Sequence, residues 1–168
     1  MKMNIISKIL LGIFLILPIL YSCQEGLEPP PTEDRSYIGG KITFIGGNDS
    51  WPSADSVHAV RVVAFKDYPP KDILTELLTG NAYFTMESLP FFVDTASFSI
   101  EIPETPVVFE YIAVALQYTN ELTSQLAIGV YTLSGDKLQP SPVELNKGQR
   151  ITNIDIEVDF NDLPPQPF

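Results

Sequence analysis

A single cysteine and a single histidine stand in this chain of 168 residues. With Cys23 alone, no disulfide can close within the chain, and the pair cannot supply the several His and Cys ligands that a zinc site takes. Basic residues are also scarce: Lys and Arg number 10 against 21 Asp and Glu, for a formal net charge of −11. A surface that acidic repels phosphate backbones and anionic headgroups. This argues against nucleic acid as a partner and against membrane contact through the folded surface. No Gly-x-Ser-x-Gly elbow and no glycine-rich phosphate loop occur. His58 opens an apolar run beside Asp55 and Ser56, but neighbours along a strand alternate faces and do not converge as a triad. No catalytic residue, no metal and no dissociable cofactor are assigned.

What the chain has in quantity is apolar residues, 45%, together with 15 prolines and 10 glycines scattered along it. That is the composition of a globular domain built from short elements with many turns.

The first residues are Met1-Lys2-Met3-Asn4-Ile5-Ile6-Ser7-Lys8, followed by an apolar run from Ile9 to Leu20. A basic start and an apolar run too short to span a bilayer describe a signal peptide. Next stands Leu20-Tyr21-Ser22-Cys23, which resembles the lipobox of bacterial lipoproteins, with Tyr21 where a smaller residue is commoner. The resemblance implies cleavage after Ser22, a thioether-linked diacylglycerol on Cys23 and an N-acyl chain on the new terminus. Two or three acyl chains anchor stably where one does not. The stretch through Arg35 contains Pro29-Pro30-Pro31 among acidic residues. It reads as an extended polyproline tether, and its acidic residues resemble in part the surface-export signals of Bacteroidota lipoproteins. The expected organisation is a signal peptide over 1–22, a lipidated Cys and tether over 23–35, a domain over 36–163 and a Pro-rich tail over 164–168. The tail is expected to dock on its own domain or fray, with a polyproline ligand for a partner as the alternative.

Within the domain, period-two alternation dominates. Thr152, Ile154, Ile156, Val158 and Phe160 alternate with Asn153, Asp155, Glu157 and Asp159, predicting one strand over 150–160. Phe98, Ile100 and Ile102 alternate with Ser97, Ser99 and Glu101, and Ile42 and Phe44 with Lys41 and Thr43. The runs 57–65 and 107–118 are apolar on both faces, as for central strands covered on each side or lying beneath a helix. Further strands are expected at 126–130 and 142–145. Pro69-Pro70-Lys71-Asp72 leads into Ile73, Leu74, Leu77 and Leu78, with Gly80 beyond, which is a short helix with its stop. The carboxylates Asp155, Glu157 and Asp159 lack EF-hand spacing and read as a solvated strand face.

About seven strands and one short helix predict an all-β, antiparallel Ig-like sandwich. The strands at Gly40–Phe44, Val60–Phe65, Phe98–Pro103, Tyr111–Ala115 and Asn153–Ile156 resemble carboxypeptidase-regulatory-like and transthyretin-like (prealbumin-like) modules. That resemblance implies a non-catalytic companion domain. The expected function is therefore a lipid-anchored, non-enzymatic accessory or interaction domain of the bacterial envelope. Its place would be the outer membrane, on the periplasmic or surface side, with an envelope protein or a glycan as partner. The alternative is a glycan-binding module using the loop aromatics Trp51, Tyr68, Phe91 and Phe92. Such rings can stack on sugars if gathered at one end, and otherwise cap the ends of the core.

Overall fold

The computed structural model describes residues 35–167. The expected leader, Cys23, the tether through Asp34 and the terminal Phe168 lie outside the described residues. Those described form ten short strands and one α-helix. In chain order they are β1 (Ser36–Phe44), β2 (Ala59–Phe65), α1 (Ile73–Leu78), β3 (Ala82–Phe84), β4 (Thr95–Ile102), β5 (Val107–Phe109), β6 (Tyr111–Gln117), β7 (Gln125–Val130), β8 (Val143–Leu145), β9 (Arg150–Ile151) and β10 (Ile156–Val158). The described residues are all-β with one short helix.

The larger sheet runs β3-β2-β6-β7-β10-β1-β4, with β9 also on β1, while β5 and β8 pair separately. Its two halves are joined only where Val158 of β10 meets Gly129 of β7. A side chain on Gly129 would press within 3.0 Å of Val158, Ile156 and Glu157. Glycine there lets the two strands approach. So narrow a link lets the sheet curl, and the inner faces of both halves contribute to one core. Ile38, Ile42 and Phe44 of β1 and Phe98, Ile100 and Ile102 of β4 share it with Val60 and Val62 of β2, Ile112 and Val114 of β6, and Ile128 of β7. The strict in-out alternation of β4 follows from this one-sided burial.

Strands β2 and β6 are buried on both faces because a second cluster lies on their far side. Val63, Phe65, Ala82, Tyr111, Ala113, Ala115 and Val130 form it, with Ile73 and Leu77 of α1 packed on top. The helix begins where expected: the Asp72 side chain accepts a 2.8 Å hydrogen bond from the Thr75 N–H, satisfying one of its open donors. It ends before Gly80, which takes φ 74°.

Three expectations need correction. The strand predicted over 150–160 is two, β9 and β10, both parallel to β1, so the sheet is mixed and not purely antiparallel. Tyr37 pairs with Arg150 but Ile42 with Ile156, so one extra residue is inserted between the two registers. That extra residue flips the phase, and Thr152 is exposed while Ile151 packs on the core. The run 107–118 is also two strands, parted at the exposed Glu110; β5 leaves the larger sheet to pair with β8. Finally, the stretch Gly80 to Thr95, expected as one long connection, contains β3, whose three residues are too few to show periodicity.

Candidate functional site

The loop aromatics divide between two places. Trp51 follows a short 3-10 turn at Gly47–Ser50 and is 9% exposed. Its ring lies 4.3 Å from Phe44, 5.1 Å from Phe160 and 5.5 Å from Phe92, centroid to centroid. The indole N–H donates to the Val93 carbonyl at 3.1 Å, so its one polar handle is used within the fold. Phe91 packs partly buried on the inner core, and Phe92 meets it edge-on at 6.4 Å. Phe92 is the exposed member and holds φ at 54°, a conformation costly for a bulky residue. Tyr68 is elsewhere: itself exposed, it lies 5.0 Å from Tyr111, a member of the cluster under α1. The structure thus gathers Trp51, Phe91 and Phe92 and leaves Tyr68 out. It adds Phe44 of β1 and Phe160, in the turn after β10, which showed in the sequence only as inward residues.

Several acidic groups are engaged with the chain's own backbone. Asp94 accepts from the Asn48 N–H, Asp155 from Lys41 N–H, Asp159 from Asn161 N–H, and Glu76, buried, from Lys71 N–H. Bonds from the Thr75 backbone and side chain hold the Asp72 carboxyl below its usual range. Burial pushes up the phenols of Tyr111, Tyr83 and Tyr131, with Tyr68, Glu104 and Asp155 respectively adding to it. The His58 backbone N–H bonds the Gln117 carbonyl, and the residue is exposed. Among the described residues no group of three His, Cys, Asp or Glu side chains could hold a metal ion.

A cleft of about 890 Å³ lies at the open seam of the curled sheet. One wall is the stretch from Ala82 to Pro90 with Leu77; the other is Ser97 to Glu101 of β4 with Tyr37 and Pro103. The first wall is held to β2 irregularly. Leu89 N–H and Thr85 N–H bond the Val60 and Val62 carbonyls, while Ser88 Oγ and Thr85 Oγ1 accept from the Val60 and Val62 N–H groups. The guanidinium of Arg61 donates to the Thr85 and Met86 carbonyls, both at 2.6 Å. These side-chain bonds close the β2 edge beyond β3. Nothing in the sequence pointed to this seam, because a cleft between two strand edges depends on which strands end the sheet.

The chain matches no protein-family model, no curated protein and no solved structure.

Proposed function

We propose that the chain is a lipid-anchored, non-enzymatic interaction domain of the bacterial envelope, tethered to the outer membrane through diacylglycerol on Cys23. One observation carries this: Leu20-Tyr21-Ser22-Cys23 closes an apolar run with a basic start, at the place where acylation would leave the sole cysteine as an anchor. The prealbumin-like sandwich reading belongs here too, supported by two sheet halves that contribute to one core. The non-enzymatic reading is supported by the carboxylates of Asp94 and Asp72, engaged in holding a loop and a helix cap. The test is Cys23→Ser in growing cells with labelled fatty acid. Loss of label and release from the membrane fraction are expected. Retention in the membrane without label overturns the anchor.

The second reading, a glycan-binding module, is favoured by one feature: the exposed Phe92 ring held at positive φ over Trp51. Its test is retention of the protein on insoluble polysaccharides, lost in Phe92→Ala. Phe92 suits this better than Trp51, whose removal would open a core cavity.

A further inference from the structure

The larger sheet ends on one side at β3, three residues long, and on the other at β4, eight residues long. The phase of β4 follows from the Phe44 N–H to Asp94 carbonyl bond at 2.9 Å. Counting from that pair, Ala96, Phe98, Ile100 and Ile102 turn their backbone groups toward β1. Thr95, Ser97, Ser99 and Glu101 turn theirs to the free edge. Among the described residues no strand pairs there. Long straight edges are ordinarily blunted by Lys, Pro, a bulge or a covering segment, and the β1–β4 register runs unbroken from Ser36–Ile102 to Thr43–Thr95. Two other exposed stretches of strand edge in this sheet are closed: β2 beyond β3 by Thr85 to Leu89, and β7 beyond β10 by the tail.

The cleft beside this edge has a definite character. Leu77, Phe84, Met86, Leu89, Pro90 and Pro103 make its walls apolar, and Met86 is 80% exposed. Among the described residues no Lys, Arg or His lines it, whereas Glu87 and Glu101 stand on opposite walls. Glu101 already accepts a cation, with the Arg35 guanidinium 3.4 Å from its carboxylate.

We propose that β4 takes an added strand from an extended cationic polypeptide segment, whose alternate apolar side chains turn into the cleft. The outward backbone groups of Ser97, Ser99 and Glu101 supply the ladder and hence the affinity, while the carboxylates select basic sequences. The inference rests on the reading of the chain as an interaction domain but not on its anchor. Loss of peptide binding and loss of lipidation are therefore separate outcomes.

The test uses the full chain in a nonionic detergent and the probe peptide Ac-Thr-Val-Lys-Val-Lys-Val-Thr-NH2, read by hydrogen exchange over 95–102. At probe concentrations about ten times Kd, exchange in this segment is expected to slow about tenfold. The same peptide with glutamate for lysine should bind about tenfold more weakly. N-methylation at alternate residues should abolish binding in one phase and spare it in the other, because an added strand uses the N–H groups of one edge only. Ser99→Pro removes an outward N–H without touching the β1 ladder and should abolish the protection. Should that variant fail to fold, the two N-methyl phases still decide. Equal binding of both phases, equal binding of the glutamate peptide, or unchanged exchange would overturn the proposal. So would protection that grows with protein concentration in the absence of peptide, which would assign the edge to a second copy of the chain.

Discussion

Strands β2 and β6 present apolar side chains on both faces, and the two faces are served very differently. Toward the inside they meet the opposite half of the sheet, and Val60, Val62, Ile112 and Val114 are fully buried. Toward the outside they meet one helix of six residues. There Ile73 and Leu77 only partly bury themselves, and Leu74 and Leu78 remain 42% and 79% exposed. Equal hydrophobicity in the sequence does not mean equal burial. A half-sheet covers a sheet face along its length, whereas one short helix covers a patch. The inner cluster should therefore carry most of the stability, with the outer one as a weaker unit able to open on its own.

The sharpest way to break that comparison is to delete side chains from each cluster. Phe109 is completely buried with Tyr83 edge-on at 5.9 Å. Phe109→Ala should cost about 3–5 kcal/mol, the range for emptying a large aromatic site in a core. Leu77→Ala, under the helix, should cost about 1–2 kcal/mol, in proportion to its partial burial. Denaturant titration of both variants checks the ordering; equal losses would mean that the helix is as integral as the opposite half-sheet.

The outer cluster also has a titration of its own. Burial holds the Tyr111 phenol well above its ordinary value of 10.0, so the folded state disfavours the phenolate. The sign follows directly. This preference is neutral while the phenol is protonated in both states. Stability falls once pH passes 10.0, where the unfolded chain releases the proton and the folded one retains it. Tyr111→Phe should flatten that alkaline decline and leave stability near neutral pH little changed. Tyr83 and Tyr131 are raised as well, so a residual decline is expected. Thermal melts across the alkaline range give the slope of each protein.

Much of this division was legible in the sequence, though unevenly. Period two placed β1, β4 and the inward residues of β10. The double-sided runs at 57–65 and 107–118 announced a covered outer face, and Asp72 and Gly80 bracketed α1. What failed to show was every feature set by distant partners. The extra residue between β9 and β10 shifts the register against β1, and no local pattern records that shift. Residues Val107 to Phe109 look like the start of β6 but find β8. Of the four loop aromatics, Trp51, Phe91 and Phe92 meet and Tyr68 does not, since shared composition says nothing of which loops share an end. The β4 edge was invisible for the same reason: Ser97, Ser99 and Glu101 mark a solvated face equally well in a central or a terminal strand.

The smallest predicted effect concerns the closed counterpart of that edge. Strand β10 leaves β7 after Val158 pairs with Gly129, and the next outward backbone pair on β7 belongs to Ala127. The side-chain amide of Gln166 fills it: its Oε1 accepts from the Ala127 N–H at 2.8 Å, and its Nε2 donates to the Ala127 carbonyl at 3.0 Å. One amide thus reproduces the two bonds that another strand residue would make, and the tail, with Pro164 buried, docks on its own domain. Water can replace both bonds once the amide is gone, so Gln166→Ala should cost less than about 1 kcal/mol. Exchange of the Ala127 amide should nevertheless accelerate while the amides of β1 and β4 keep their rates. If the Ala127 amide stays protected, the packing around Pro164, and not the Gln166 amide, would be what keeps water from this edge.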